Sequence, residues 1–379
     1  MAETGGTAIV GGTVVTFDPP AVARRDLLLG PEPRTPVDAA DAVVFPGLAI
    51  AHTHLYSGLA RGMPAPNGPT RSFREVLERV WWRLDVALDE EMIRWSAMLA
   101  AVEALQCGTT AIVDHHESPS AIEGSLSVIA NACAAVGVRT NVAYGVTDRH
   151  GAEGARRGLA ENERFLRAGG RGMVGVHAAF TCTDDTLRGA ADLAAELGVG
   201  VHIHVAEGPD DANAGERLHA LATDDWHLVH CVHLDRDLPG TIAHNPRSNM
   251  NNSVGYARPA ARPNRVVLGT DGIGADMLEE ARLAYVRLRE DDVLASPDTV
   301  WQWLENGYRL FPEARHDRVT WNYDHADSPW HVAFTPGVRA LQVEVDGEVL
   351  LADGVPTRVD LAEVRAKAAE QARRLFARL

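Results

Sequence analysis

The sequence is poor in lysine and in cysteine. Lys367 is the only lysine among 379 residues, and every other basic residue is arginine. The four cysteines are widely spaced and include no Cys-x-x-Cys pair, which argues against a disulfide framework and predicts reduced thiols in a cytoplasmic protein. These cysteines are Cys107, Cys133, Cys182 and Cys231.

Long hydrophobic runs and positive charge are also scarce. No apolar stretch approaches the length of a membrane-spanning helix, and residues 1–6 lack the basic start and apolar region of a signal peptide. The formal net charge is −16, and the acidic residues are dispersed along the chain. This charge argues against nucleic acid and an anionic membrane as partners.

From residue 44 onward, short apolar strands alternate with amphipathic helical segments. The segment from Leu88 to Gln106 has apolar residues at helical spacing, and Gly108 follows its end. Repeated strand–helix units of this kind predict an α/β protein with a parallel (β/α)₈ barrel. The predicted strands lie near residues 44–50, 109–114, 139–144, 172–177, 199–204, 227–230, 241–244 and 266–270.

Both chain ends show the alternation that is typical of β-strands. Residues 7–17 form a hairpin-like pattern around Gly11-Gly12, and residues 340–351 alternate around a turn at Asp346-Gly347. We expect these two segments to pair in a small β domain, and a helix from Leu361 to Leu379 to close the chain. The predicted organisation is one part of the β domain at residues 1–46, the metal-dependent barrel at 47–335, and the other part with the terminal helix at 336–379.

Two histidines one residue apart, His52 and His54, follow the first predicted barrel strand. Alternate strand residues share a face, so both imidazoles point the same way with their roots roughly 6–7 Å apart. That separation lets both rings reach one metal ion at about 2 Å. A single histidine is more often structural, but further ligand-type residues follow at the ends of other strands.

These further residues complete a plausible metal site. His204 lies near the end of the fifth strand, and Asp271 terminates the eighth, so three histidines and one aspartate can surround Zn²⁺ with a position left for water. Such a metal makes hydroxide available at neutral pH. Glu207 is then placed to carry a proton to the substrate, while His230 and Asp271 orient the attacking oxygen and relay the second proton.

Other signals in the sequence are weaker. His116-Glu117 does not begin a zincin motif, because Ser120 stands in place of the second histidine and Pro119 would break the helix. Gly198-Val199-Gly200 lacks a third glycine and precedes a strand, which argues against dinucleotide binding. For His115 and His116, lining of the pocket is slightly favoured over a structural role, and His202 is expected to make a hydrogen bond in the barrel core. His233 and His244 are expected to be structural, and Trp81-Trp82 to pack in the core, with a role in a lid as the alternative. No role is assigned to His316, His325 and His331.

The ordered motifs resemble the amidohydrolase superfamily, in its branch similar to cytosine deaminase and triazine hydrolase, and especially the SsnA-like aminohydrolases. The matching segments are Pro46 to His54, Val80 to Asp85, Val176 to Cys182, His202 to Glu207, Val229 to Leu234, His244 to Asn252, and the motif at Asp271. They occur in order and span most of residues 44–290.

This resemblance implies a (β/α)₈ barrel with a small β-sandwich built from both chain ends, and possession of one catalytic divalent metal, Zn²⁺ or Fe²⁺. It assigns the metal to His52, His54, His204 and Asp271, proton transfer to Glu207, and substrate contact to His177. Binuclear relatives use a carboxylated lysine on the fourth strand, and this chain has no lysine there. A homodimer is a further implication.

The activity expected from the resemblance is hydrolytic deamination of a small-molecule substrate, an amino-substituted nitrogen heterocycle, with release of ammonia. An alternative is the cleavage of another bond by the same apparatus, either chloride displacement from a triazine or the opening of a cyclic amide. A metal-binding protein without catalysis is less favoured, because every ligand-type and proton-transfer residue is present.

Overall fold

The computed structural model describes residues 6–17, 20–29, 33–38, 43–323 and 327–379. His325 lies outside the described residues, as do residues 1–5. The strands within the described ranges are β1 Gly6–Phe17, β2 Pro20–Leu29, β3 Pro33–Asp38, β4 Val43–Phe45, β5 Leu48–His54, β6 Thr109–His116, β7 Arg139–Tyr144, β8 Val174–Ala178, β9 Val201–Val205, β10 His227–His230, β11 Thr241–His244, β12 Arg265–Leu268, β13 Asp271–Gly272, β14 Arg318–Trp321, β15 Ala340–Val345, β16 Glu348–Ala352 and β17 Val355–Pro356.

Helices connect most of the central strands and close the chain. The α-helices are α1 Phe73–Val76, α2 Trp82–Ala87, α3 Glu90–Gln106, α4 Ser125–Val136, α5 Gly151–Arg167, α6 Asp184–Leu197, α7 Ala214–Leu218, α8 Pro246–Asn251, α9 Met277–Asp291, α10 Pro297–Asn306, α11 Pro329–Phe334 and α12 Leu361–Phe376. A π-helical turn, Leu77–Trp81, joins α1 to α2. The 3₁₀ segments are Leu55–Ala60, Asp148–His150, Ala179–Thr181, Pro209–Asp211, Pro259–Ala261, Gly307–Arg309 and Pro312–His316.

The strands β5 to β12 form a closed parallel barrel. Parallel pairing runs from β5 through β7 and from β8 through β12, and the bridges Val142–Gly172 and Val146–Val176 join the two groups. The ring closes where the Thr270 amide donates to the His52 carbonyl at 2.9 Å and β13 pairs with β5. The predicted (β/α)₈ barrel is therefore confirmed.

The first barrel strand begins later than the sequence pattern predicts. Val43–Phe45 is a separate strand, β4, that pairs with β1 and β14 in the sheet of the chain ends, and the barrel strand runs from Leu48 to His54. Pro46, which has no amide hydrogen, separates the two strands. The predicted strand at 44–50 was thus wrong in its bounds, and His52 and His54 belong to β5 itself.

Alternation along β9 explains how the barrel brings histidines inward. Val201, Ile203 and Val205 face outward and pack in the apolar layer beneath the surrounding helices. His202 and His204 occupy the intervening positions and point into the barrel, where both are buried. The same alternation in β10 places His227 inside the barrel, with its Nε2 hydrogen-bonded to the Ala51 carbonyl at 2.7 Å.

The two chain ends join in one sheet beside the barrel. In the described residues this sheet contains eight strands in the order β17-β16-β15-β14-β4-β1-β2, with β3 paired to β1. Aromatic rings fill the space between this sheet and the barrel helices: the ring centroids of Phe17 and Trp301 lie 5.3 Å apart, and those of Phe45 and Trp321 lie 6.0 Å apart. Strand β14 belongs to this sheet, although it falls within the range expected for the barrel.

The two predicted terminal hairpins have different outcomes. Ala340–Val345 and Glu348–Ala352 pair as predicted around Asp346 and Gly347. The turn predicted at Gly11-Gly12 is wrong, because β1 continues through these residues and pairs with β2 as one long strand. The register shifts between Ile9 and Gly12, so the glycine pair accommodates a β-bulge and not a chain reversal. No helix in the described part of the chain is long and apolar enough to cross a membrane.

Candidate active site

Four predicted ligands converge at the carboxyl end of the barrel. The Nε2 atoms of His54 and His204 lie 3.2 Å apart, and Asp271 Oδ1 lies 3.2 Å from His54 Nε2 and 3.6 Å from His52 Nε2. Ligand atoms held about 2 Å from one tetrahedral ion are separated by about 3.3 Å. These separations therefore suit a single small divalent cation.

Hydrogen bonds behind each imidazole fix the nitrogen that faces the cluster. His54 Nδ1 donates to the His115 carbonyl and His204 Nδ1 to the His177 carbonyl, each at 2.7 Å. His52 Nδ1 lies 2.9 Å from His202 Nε2. In each ring the bond at Nδ1 leaves the Nε2 lone pair directed toward the neighbouring ligands, which is the usual arrangement around a metal.

The unpartnered imidazole nitrogens and the neutral state of two rings in this cluster also fit a divalent metal. His52 Nε2 and His230 Nε2 are buried and have no hydrogen-bond partner among the residues that the structure describes. Unpartnered buried nitrogen atoms are costly, and coordination of an ion removes that cost. Burial lowers the pKa of His52 to about 3 and that of His204 well below its ordinary value, so both rings are neutral as metal ligation requires.

Glu207 and His230 lie on the open side of the ligand cluster. His230 Nε2 is 3.3 Å from Glu207 Oε2 and 3.8 Å from Asp271 Oδ2. The other ring nitrogen, His230 Nδ1, lies 2.7 Å from Asn249 Oδ1, to which it donates. Burial, and then the charge of Asp271, raises the pKa of the Glu207 carboxyl well above its ordinary value. A carboxyl of this kind can hold a proton near neutral pH and pass it on.

The backbone at this end of the barrel departs from regular geometry. Five non-glycine residues in and next to the site have left-handed backbone conformations, with φ between 47° and 70°. Such conformations are strained, and they persist where the surrounding fold imposes them. They are Ala206, His230, Cys231, Asp271 and Ile273.

A cavity of about 240 Å³ opens directly above the cluster. One wall is aromatic, with contributions from Trp81, Trp82 and Phe180, and the floor includes His54, His204, Glu207 and Asp271. Flat apolar walls over a polar floor suit a planar heterocycle with its reacting atom turned toward the ligand cluster.

The match to known families decides the classification. The amidohydrolase family matches residues 43–303, which is more than half of the chain. The chain belongs to the amidohydrolase family. It is an enzyme that hydrolyses carbon–nitrogen bonds and uses a divalent metal.

Curated relatives of this amidohydrolase bear deaminase names. It is 34% identical to the 5′-deoxyadenosine deaminase of Methanopyrus kandleri over 64% of this chain and 61% of that one. It is 31% identical to the 5-methylthioadenosine/S-adenosylhomocysteine deaminase of Syntrophomonas wolfei over 89% of this chain and 88% of that one. The chain thus spans less than two thirds of the first relative and most of the second.

Solved structures agree on the fold. A triazine hydrolase variant matches 98% of this amidohydrolase and 100% of its own chain with a TM-score of 0.81 at 21% identity. An adenosine deaminase from Xanthomonas campestris with bound zinc matches 98% of both chains with a TM-score of 0.80, also at 21% identity. At these identities the likeness establishes the architecture alone.

Several weaker interpretations of the sequence can now be compared with the geometry. His202 makes the core hydrogen bond expected of it, and its partner is His52. His233 is bonded through Nε2 to the Val254 carbonyl at 2.8 Å, away from the cluster. The preference for pocket lining at His115 and His116 was wrong, because both rings are fully buried behind the cavity wall.

Two features of the cavity were missed or undervalued from the sequence. Trp81 and Trp82, for which core packing was the preferred interpretation, line the aromatic wall. Glu117 was considered only as part of a failed zincin motif, yet it lines the cavity beside His177. The signal that could have found Glu117 was its position just after the second barrel strand, where a side chain reaches the catalytic face.

Proposed function

We propose that the protein is a metal-dependent hydrolytic deaminase that converts a purine-type amino heterocycle to the oxo product with release of ammonia. The observation that carries the proposal is Glu207, a half-buried carboxyl with a raised pKa placed 3.3 Å from His230 beside the ligand cluster. The deaminase names of relatives that align over most of their length support the same reaction.

The proposed metal is a single Zn²⁺ ion held by His52, His54, His204 and Asp271. The donor set of three imidazoles and one carboxylate is one that zinc accepts with a further position left open. When bound, such an ion supplies Lewis acidity and lowers the pKa of water toward about 7. Zinc in the structurally similar adenosine deaminase supports this choice over iron.

The protein residues then divide the proton transfers. Water adds to the ring carbon that bears the amino group, a C–O bond forms, and the electron pair of the C=N bond moves to the ring nitrogen. Glu207 takes a proton from water and delivers it to that nitrogen. His230 orients the attacking oxygen, and Asp271 passes the second proton to the amino group. The C–N bond breaks, ammonia leaves, and the ring carbon becomes a carbonyl.

The cavity walls support a purine-type substrate. Arg149 and Arg74 pack against the Trp82 ring, with their guanidinium carbons 4.5 Å and 4.9 Å from its ring centroid. Trp81, Trp82 and Phe180 together give the cavity an aromatic surface that suits a flat ring. The proposed substrate contact of His177 places this histidine at the far edge of that ring.

The test is ammonia release from a panel of adenine nucleosides, other aminopurines, pterins, aminopyrimidines and triazines. We expect turnover on at least one purine, loss of turnover after chelation, and recovery on addition of Zn²⁺. Glu207→Gln should lower kcat by about 10²- to 10⁴-fold because the proton carrier is removed. The exposed Glu216→Gln serves as the matched control with unchanged kcat.

Activity that survives both chelation and Glu207→Gln would refute the proposal. Product analysis separates the alternatives of chloride displacement and ring opening, because only deamination releases ammonia and leaves the ring intact. The homodimer stays a prediction, to be checked by sedimentation of the metal-loaded chain.

A further inference from the structure

Glu117 is a buried carboxylate on the cavity wall that the proposed reaction does not use. Its side chain is 4% exposed, and Arg149 Nη2 donates to its Oε2 at 2.9 Å. The same guanidinium nitrogen donates to Asp85 Oδ2 at 2.7 Å. Arg149 therefore orients Glu117, and the second oxygen, Oε1, is left for other contacts.

Two imidazole nitrogens face Glu117 Oε1, and the hydrogen bonds around each ring make both of them acceptors. His115 Nε2 donates to the Val176 carbonyl at 3.1 Å, so a neutral ring has its lone pair on Nδ1, 3.7 Å from Oε1. The Thr181 hydroxyl donates to the Ala178 carbonyl at 3.0 Å and accepts from His177 Nδ1 at 2.7 Å. The lone pair of neutral His177 is thus on Nε2, 3.8 Å from Oε1.

The fold holds this group of acceptors tightly. A Cβ at Gly145 would lie 2.5 Å from His115 Cε1 and 3.0 Å from Glu117 Oε1, so only glycine leaves room for both side chains. Burial raises the pKa of the Glu117 carboxyl to about 7, and in its ionised form Oε1 and His177 Nε2 are two acceptor atoms that meet on the cavity wall. His115 Nδ1 is a third acceptor, buried behind them. A ligand that brings an N–H or O–H group there satisfies acceptors that otherwise oppose one another.

The position of this acceptor group relates it to one edge of the substrate. Glu117 and His177 line the same cavity as His204 and Asp271 of the ligand cluster. When a planar ring occupies this cavity with its reacting carbon at the ligand cluster, its opposite edge is the part available to His177 and Glu117. In a purine that reacts at C6, this edge consists of N3 and the substituent on C2.

We propose that Glu117 is a specificity-determining residue that, together with His177, accepts a hydrogen bond from a donor group on the edge of the substrate opposite the reacting carbon. This inference rests on the proposed function, since it assumes a planar amino heterocycle with its reacting carbon at the metal cluster. It narrows the substrate class to amino heterocycles with an N–H donor on that edge, such as 2,6-diaminopurines. Simple adenine presents only acceptor nitrogens there.

The test compares the binding of 2-aminopurine and purine, which differ only in that donor group and lack the 6-amino leaving group. Calorimetry with the metal-loaded full chain at pH 8.5, where the Glu117 carboxyl with its pKa of about 7 is ionised, should give a dissociation constant about 10-fold lower for 2-aminopurine, because a hydrogen bond to a buried carboxylate is gained. Because the measurement is of binding, it does not depend on turnover.

Glu117→Gln gives a sharper outcome. Arg149 requires an acceptor, so the amide oxygen takes the place of Oε2 and the amide NH₂ takes the place of Oε1. The wall then offers a donor, and purine should bind at least as tightly as 2-aminopurine. Glu161→Gln is the matched control, since Glu161 is also buried and paired with an arginine, Arg164, but lies outside the cavity. It should keep the wild-type preference.

Equal binding of the two purines to the wild-type chain would overturn the inference, and so would a preference that survives Glu117→Gln. The ratio of the two dissociation constants in the wild-type chain tests the inference even if the Glu117→Gln variant fails to fold. A preserved 10-fold preference with no ammonia released from any aminopurine would instead count against the proposed function.

Discussion

Each imidazole of the ligand cluster is oriented by a bond on the nitrogen that faces away from the other ligands. For His54 and His204 the partner is a backbone carbonyl, which mutation of a side chain cannot remove. For His52 the partner is the side chain of His202, itself fully buried in the barrel. Among these three imidazoles, His52 is therefore the one whose orienting hydrogen bond can be removed by substituting a single side chain, that of His202.

His202→Leu should weaken metal binding by about 10- to 100-fold, because His52 loses the bond that fixes its tautomer and ring plane. The measurement is the metal dissociation constant in competition with a chromophoric chelator. His227→Leu is the matched control, since His227 is also a buried barrel imidazole but is bonded to the Ala51 carbonyl. Equal affinity in His202→Leu and wild type would show that His202 does not position a ligand.

The residues of the candidate site divide into those that a sequence pattern can find and those that it cannot. His52, His54, His204 and Asp271 come at or near strand ends, and parallel strands in a barrel bring such ends together. Glu117 was missed as a functional residue because its role depends on Arg149, 32 positions away, and on the tautomers of two other rings. These contacts are created by packing and have no local signature.

At the scale of elements, two glycines end helices in the same left-handed conformation but in different surroundings. Gly137 after α4 has φ of 98°, and a Cβ there would lie 2.4 Å from Leu350 Cδ1 in the end sheet. Gly198 after α6 has φ of 68° and nothing within 4 Å. The first glycine permits a close approach between barrel and end sheet, while the second serves only its own helix.

Gly137→Ala should therefore lower the free energy of unfolding by more than Gly198→Ala. The left-handed conformation costs about 1–2 kcal/mol with a Cβ in both variants, and overpacking against Leu350 adds about 1–3 kcal/mol in the first. Urea denaturation measures both values. Equal losses in the two variants would mean that Leu350 does not pack on Gly137 in solution.

His244 at the end of β11 predicts a pH effect at the interface between barrel and helices. Its ring is buried between Tyr256 and Trp303, at centroid distances of 6.0 Å and 5.9 Å, and neither ring nitrogen has a hydrogen-bond partner in the described part of the chain. Burial lowers its pKa to about 3. Below pH 6.5 the unfolded chain binds a proton that the folded chain refuses, so this contribution to stability is present above pH 6.5 and is lost as the pH falls toward 3.

His244→Phe should make the free energy of unfolding less dependent on pH between 6 and 4, by about 1.4 kcal/mol per pH unit. Denaturant titrations at several pH values measure this slope. Tyr256→Phe is the control, since it alters the same contact without removing a group that titrates in this range. A slope in His244→Phe identical to that of wild type would show that His244 is protonated in the folded protein.

Element boundaries were predictable from the sequence where side-chain alternation decides them. Strands β7, β10 and β11 have the bounds expected from their apolar residues, and the alternation in β9 correctly placed His204 inside the barrel. Side-chain alternation gave wrong strand bounds at Val43–Phe45, because the apolar run continues there while the strand with which the chain pairs changes. It gave a wrong turn at Gly11, because β1 continues through this residue and stays paired with β2. The identity of a pairing strand is a property of the tertiary fold, which local alternation does not record.

At the scale of the whole molecule, the barrel brings residues that are distant in sequence to one ion-sized space. His52 and Asp271 are separated by most of the barrel, yet their ligand atoms lie 3.6 Å apart because the eighth strand closes against the first. The expected architecture followed from counting strand–helix units, whereas the cavity shape depended on the connection that carries Trp81 and Trp82. Long connections are less constrained by local pattern, and this explains why the aromatic wall was undervalued.

The central claim is that His52, His54, His204 and Asp271 hold one divalent metal ion at the floor of the cavity. The most direct measurement is a crystal structure of the purified protein with anomalous diffraction collected on both sides of the zinc absorption edge. We predict one anomalous peak, about 2 Å from the three Nε2 atoms and from a carboxylate oxygen of Asp271. No peak among these four residues in zinc-replete protein, or a peak bound elsewhere, would contradict the account.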